Sequence, residues 1–303
     1  MLFRSMRLNT LPGRPAALAF AGAVLASVAL AACSGGADPE GTPRRIAREV
    51  DRTLTTVAQN ELVRDPELAT RLGLLPETAG FPFGRYLTDR SQAAFERARL
   101  ERLETLDALV RTARPAPGSA LARNLDTVIA AHEAAEAVLV SGHGAGDLSV
   151  SYPYVADHMR GAYLDVPELL VRFQPMETPA DVEAFLARMA QLPGALDDER
   201  RRLDADARSG VVPPAPILRR MQAVAAAVAV ETPDTSFLVQ TFDNLLNGVA
   251  GLTPALRDSY SKQMRTVFAG SLLPAYGRFA DTAGKLIESA PAEPGIWQLK
   301  HGD

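Results

Sequence analysis

The chain has 303 residues, of which 47 % are hydrophobic, 22 % charged and 6 % aromatic. That is ordinary globular composition; it excludes a disordered tail or a fibrous repeat and leaves room for two domains or one large helical one. With 32 Lys and Arg against 36 Asp and Glu, a net charge of −4 and no basic stripe interleaved with aromatics, the composition argues against nucleic acid as a partner. A single cysteine excludes a disulfide framework and any Cys-based zinc cluster.

The position of that cysteine carries its meaning. Arg4, Arg7 and Arg14 form a basic segment without an acid, and Ala16 to Leu30 form an apolar run of 15 residues. The run is short for a membrane span, which needs about 20 residues, and fits a secretory signal. It ends in Leu30-Ala31-Ala32-Cys33, which resembles a bacterial lipobox, so residues 1–32 are expected to be a lipoprotein signal peptide and Cys33 the lipid-attachment site. Two or three acyl chains, each buried CH₂ contributing about 0.8 kcal/mol, make a durable membrane anchor. Residues 33–43, polar and carrying Ser34, Gly35, Gly36 and Gly41, read as a flexible tether. Removal of residues 1–32 deletes three arginines and no acid, taking the net charge from −4 to −7. Such a body is expected to stand off an anionic bilayer, facing the periplasm. Ser34 after Cys33 lacks the Asp associated with inner-membrane retention, which leans the expectation toward the outer membrane.

Helices follow in series, and residues 44–288 read as one all-α domain, an irregular bundle of eight to ten helices. Thr42-Pro43 opens the first, with the stripe Ile46, Val50, Leu54, Val57 and Leu62. Asp65-Pro66 breaks it, a short turn runs to Gly73, and residues 74–86 read as loop. Asp89 or Ser91 caps a second long helix bearing Phe95, Leu100, Leu103, Leu106 and Val110. Ser119 opens a third, with Leu125, Val128, His132 and Ala135 on one face, running to Gly142. Residues 142–166 are the longest irregular segment and the richest in Tyr and His, which makes them the place to look for function. Thr178-Pro179-Ala180-Asp181 starts a helix that Pro193 is expected to break before a charged helix ending at Gly210. Thr232-Pro233 and Thr253-Pro254 start two more, the last kinked at Pro274. Residues 289–303 are a tail. No fixed-period repeat occurs.

Motifs with chemistry are sparse. The four histidines, His132, His143, His158 and His301, contain no His-Glu-x-x-His pair. His132 and Glu136 share a helix face, but spacing indicates no third ligand, and His132 is expected to fill an apolar stripe. No nucleophile elbow or phosphate loop is present. The candidate pocket residues are Tyr154, Asp157, His158 and Tyr163, with Tyr152 beside them. Tyrosines near Pro153 can anchor a loop by packing the ring and bonding the hydroxyl, or contact a ligand. No catalytic or metal-ligating residue is assigned.

Several stretches resemble the bacterial family catalogued as domain of unknown function 885, whose members are commonly lipoproteins. They are Pro66-Glu67-Leu68-Ala69-Thr70-Arg71-Leu72-Gly73, Leu87-Thr88-Asp89-Arg90-Ser91, the dense run from Tyr152 to Pro167, Arg208-Ser209-Gly210-Val211-Val212-Pro213-Pro214, and Gly295-Ile296-Trp297-Gln298-Leu299. The resemblance implies a helical zincin-like fold and, for full-length relatives about twice as long, zinc metallopeptidase activity. The family's zinc helix lies in a second half to which no position here corresponds. The expectation is therefore a lipid-anchored module resembling the amino-terminal half, inactive alone, with no cofactor of its own. Zinc would enter if a separately encoded carboxy-terminal metal-binding half supplied the ligands. The alternatives are a subunit of such a split peptidase, or a periplasmic lipoprotein that binds a ligand or another protein.

Overall fold

The structure, a computed structural model, describes residues 41–137, 143–146, 151–293, 295, 297 and 299. The expected signal peptide, Cys33, most of the tether and His301 lie outside the described residues, as do residues 142 and 147–150 of the long loop.

The fold is all-α, with nine helices of ten residues or more and two shorter ones among the described residues. They are α1 (Thr42–Arg64), α2 (Pro66–Arg71), α3 (Pro76–Ala79), α4 (Gln92–Arg111), α5 (Ala120–Ala137), α6 (Ala162–Arg172), α7 (Pro179–Arg208), α8 (Ala215–Ala229), α9 (Phe237–Leu246), α10 (Pro254–Val267) and α11 (Leu273–Leu286). A two-residue antiparallel pair, β1 (Ala145–Gly146) with β2 (Ser151–Tyr152), closes the long loop, Ala145 opposite Tyr152. No described helix is long and apolar enough to cross a membrane.

Side-chain caps set several of the starts. Asp65 accepts from Leu68 N at 3.0 Å to open α2, and Ser91, not Asp89, caps α4 by accepting from Ala94 N at 3.2 Å. Thr178 and Asp181 form a reciprocal capping box at α7. The helix expected at Thr232 begins at Phe237 instead. Thr232 and Thr235 exchange side-chain and backbone hydrogen bonds that hold a turn there.

Three prolines lie inside or beside long helices, and one of them overturns an expectation. Pro193 does not break its helix: α7 runs 30 residues through it. Residues on both sides of it, Phe185, Met189, Leu192, Leu196 and Leu203, belong to one buried cluster, and that shared face outweighs the lost hydrogen bond. Pro167 lies inside α6, whose first turn occupies residues 162–166, so the irregular segment ends at Gly161. A proline leaves the carbonyl four residues earlier without its partner; here that carbonyl, Tyr163 O, accepts the buried Tyr276 hydroxyl at 2.8 Å. Near Pro274 the irregularity is a π-type turn, Phe268–Leu272, immediately before α11.

The buried side chains form two main cores. The larger joins α6 to α11 around α7. A separate one joins α1, α4 and α5 through Val50, Leu54, Val57, Leu109, Leu125 and Ile129. Between them α7 presents polar groups instead of apolar ones: Arg188, Gln191, Glu199, Arg202 and Asp206, on one face at helical steps with Ala195 completing the series.

Arg188 is fully buried. Its guanidinium donates to the carbonyls of Tyr86 (2.9 Å), Pro66 (3.2 Å) and Phe83 (3.0 Å), to Thr70 Oγ1 (2.7 Å) and to Gln174 Oε1. Burial pulls its pKa down to about 10 against the pull of Glu67 and Asp65, so it stays charged at neutral pH. Five acceptors from α2, the 83–86 turn and Gln174 are thereby tied to one side chain. Arg188→Met removes the guanidinium from all five; Phe83 O keeps the Tyr86 N–H and Pro66 O keeps the Thr70 hydroxyl, but Tyr86 O and Gln174 Oε1 lose this donor. The change is expected to lower unfolding free energy by about 3–5 kcal/mol in a urea titration followed by helical circular dichroism.

Candidate functional site

The space between the two cores is a cleft of about 880 Å³, within the range of small-molecule sites. Its walls come from the end of α1, α2, residues 86–90, the first turns of α4, residues 152–161, α6 and α7.

Its floor is an ionic network built on Arg90. The guanidinium donates to both oxygens of Glu67, at 2.6 and 2.9 Å, and to the Thr88 carbonyl at 3.1 Å. Its Nε donates to Glu199 Oε1 at 3.0 Å. One cation thus serves two buried carboxylates, unequally. Burial pushes the Glu67 carboxyl up, but the two-pronged Arg90 contact and the Thr88 N–H outweigh it and hold Glu67 below the usual range. Glu199 has the single Nε contact and the Ala162 N–H at 2.7 Å, and burial wins: its pKa is pushed up to about 7. Burial likewise raises Asp65, which accepts Thr88 Oγ1 at 2.6 Å, and Asp165.

Glu199 has a structural task in the same contact. Its Oε2 accepts the first N–H of α6, one of the donors a helix start leaves without an internal partner. Asp165 takes the preceding N–H, of Gly161, at 3.0 Å. Gly161 itself has φ +128, and a Cβ there would lie 2.9 Å from Ala156 Cβ and 3.2 Å from Glu199 Oε2. Glycine is what lets the loop pass over Glu199 into α6.

The residues expected to form a pocket are divided by the structure. Tyr154 and Asp157 line the cleft; His158 and Tyr163 do not. Tyr154 is buried with Val211 and Leu299, and burial raises its pKa. Asp157 folds the loop on itself, accepting Met159 N (2.7 Å) and Arg160 N (3.1 Å). Tyr163 donates to the Asp157 carbonyl at 2.6 Å, holding the loop against α6. His158 is half-buried, and its Nδ1 has no hydrogen-bond partner among the described residues. Tyr152, also in the wall, carries the Arg160 guanidinium over its ring at 3.9 Å.

Elsewhere the histidines are dispersed. His132 is buried in α5 with Nδ1 2.8 Å from Val128 O, and burial lowers its pKa; Glu136 pairs with Arg99 at 2.9 Å. His143 Nδ1 lies 2.8 Å from Asp206 Oδ1. Among the described residues no group of three or more His, Cys, Asp or Glu side chains is placed to hold a metal. The donor set among the described residues does not fit a zinc site.

Glu67, Arg90, Glu199 and Arg202 were not singled out by motif. The available signal was the three-and-four spacing of Arg188, Gln191, Ala195, Glu199, Arg202 and Asp206 along one helix. It is masked because the segment Asp197-Asp198-Glu199-Arg200-Arg201-Arg202 reads as a solvated charge run.

The family model described as "Bacterial protein of unknown function (DUF885)" matches residues 66–298, and the chain belongs to that family. Three of the stretches that carry the resemblance supply Glu67, Arg90 and Gly161-Ala162, which meet at Glu199. A solved structure described as a "putative lipoprotein" from Colwellia psychrerythraea has the same fold, with a TM-score of 0.79 at 17 % identity. The alignment covers 85 % of this chain and 44 % of that one, so the chain spans less than half its length. No curated protein matches.

The raised Glu199 fixes the sign of a pH effect. A carboxyl whose folded pKa lies above its ordinary value binds more protons folded than unfolded between about pH 4.5 and 7, so its contribution to stability falls as pH rises through that window. Glu199→Gln keeps an acceptor for Ala162 N–H and removes the titration. Urea titrations at pH 5, 6, 7 and 8 are expected to show the variant gaining on the parent by up to about 1.4 kcal/mol per pH unit between pH 5 and 7, then levelling.

Proposed function

We propose that this member of the DUF885 family is a lipid-anchored helical module at the bacterial envelope, equivalent to the amino-terminal half of a zincin-like metallopeptidase and without hydrolytic activity alone. The observation that carries the reading is the alignment in which 85 % of the chain accounts for 44 % of a longer protein. The dispersed histidines and a zinc helix expected in a second half are consistent with it. In this reading the chain brings one wall of a substrate cleft, and a carboxy-terminal metal-binding half brings the zinc.

The anchor rests on the Leu30-Ala31-Ala32-Cys33 motif and on the description of the Colwellia psychrerythraea protein. Attachment through Cys33 would face the domain toward the periplasm, with Ser34 leaning the assignment to the outer membrane. The cleft itself favours a second reading, a periplasmic lipoprotein that binds a small ligand or a partner protein, because it is walled by this chain's own residues.

Two measurements separate these. The parent is expected to incorporate labelled palmitate and fractionate with membranes, while Cys33→Ser does neither; label on the variant contradicts the anchor. The purified chain is expected to show no zinc-dependent hydrolysis of a casein digest. Hydrolysis stimulated by zinc and stopped by a chelator overturns the half-enzyme reading.

A further inference from the structure

Arg188 and Arg90 spend their donors on many partners within the fold; Arg202, further along the same face of α7 as Arg188, does not. Arg202 is 7 % exposed. Its Nη2 donates to the Gly144 carbonyl at 2.7 Å, and its guanidinium sits 4.2 Å from the centre of the Phe95 ring. Its Nε is buried with no hydrogen-bond partner among the described residues. The two acids whose charge it feels most are engaged elsewhere, Asp206 with His143 at 2.8 Å and Glu199 with Arg90 at 3.0 Å. Among the described residues Arg202 forms no ion pair.

An arginine this buried, with one hydrogen bond and with the charges of Asp206 and Glu199 nearby but in no contact ion pair with it among the described residues, keeps donor capacity that the fold does not use. Its surroundings hold it in place. Gly144 has φ +111, and a Cβ there would lie 2.2 Å from the Tyr152 carbonyl oxygen, so glycine permits the hairpin closure that aims the Gly144 carbonyl at Arg202. Phe95 fixes the guanidinium plane from the α4 side. From the loop that follows the hairpin, exposed Arg160 lies over the Tyr152 ring and forms no ion pair among the described residues. Two arginines, each stacked on an aromatic ring, therefore flank one end of the cleft.

We propose that Arg202 and Arg160 form an anion-binding subsite at this end of the cleft, which takes the carboxylate of a small organic ligand whose apolar body lies against Phe95 and Tyr152. The planar guanidinium edge of Arg202 matches a carboxylate. Nine acids against seven arginines face the wider cleft, which opposes a dianion more strongly than a monoanion and leaves the arginine end as the favourable place for a carboxylate. The cleft volume of about 880 Å³ leaves room for the attached body. The subsite depends on neither the lipid nor zinc, so it stands or falls apart from the function proposed above.

The test is calorimetric titration of the purified full-length chain at low salt with 3-phenylpropionate, its neutral amide and inorganic phosphate. Saturable binding of 3-phenylpropionate is expected, weakened at least tenfold in the amide and in Arg202→Lys, which keeps the charge but loses the fork. Arg160→Gln, an exposed change that leaves the fold alone, is expected to weaken binding three- to tenfold, and carries the test if Arg202→Lys misfolds. Absence of saturable binding, equal affinity for the amide, tighter binding of phosphate, or affinity unchanged in Arg160→Gln overturns the proposal.

Discussion

The arrangement depends on one constraint: a long helix packed on both sides must satisfy every polar group it buries. The apolar face of α7 is fixed in the larger core, which commits Arg188, Gln191, Glu199, Arg202 and Asp206 to the junction with the smaller one. Burying an arginine is tolerable only when acceptors surround it. Arg188 meets that demand by gathering carbonyls from chain segments more than a hundred residues away. Gln191 extends the clamp, accepting Leu87 N at 3.1 Å and donating to Arg85 O at 2.7 Å. The stretch from α2 to Arg90 has little secondary structure of its own, and its path is set largely by this ladder.

Past the clamp the same helix face lines the cleft. Glu199 links three things that the sequence keeps far apart: the Arg90–Glu67 pair, the start of α6 and the loop that crosses Gly161. Because Arg90 is committed mainly to Glu67, Glu199 is left in an interior that only partly tolerates its charge. Protonation would change the cap on α6 and the wall of the cleft together. Two cores joined through polar contacts, with a cleft between them, also make the α1, α4 and α5 lobe less firmly bound than a shared apolar core would.

Much of the fold is legible in the sequence because it follows from local rules. Proline after Thr or Asp marks α1, α2, α7 and α10, and the stripe Val50, Leu54, Val57 is buried as its period requires. Pro193 misleads because a local penalty is overridden by packing that sequence alone does not display. The candidate site is less legible for the same reason. Tyr154 and Asp157 stand out in a Tyr-rich loop and do line the cleft, while Tyr163 supports the loop from beneath. Glu199 and Arg202 sit in a run of charges where solvated and buried members look alike, and only the tertiary neighbours distinguish them.

Amide hydrogen exchange tests this most directly, comparing the parent with Glu199→Ala. If the polar face of α7 organises the cleft, amides at Gly161, Ala162 and neighbouring positions of α6 exchange at least tenfold faster in the variant, and Thr88 loses protection with them, while α8 and α11 are unchanged. Equal protection of Ala162 and Thr88 in the two proteins would contradict the account, since α6 and the Arg90 segment would then be held without Glu199.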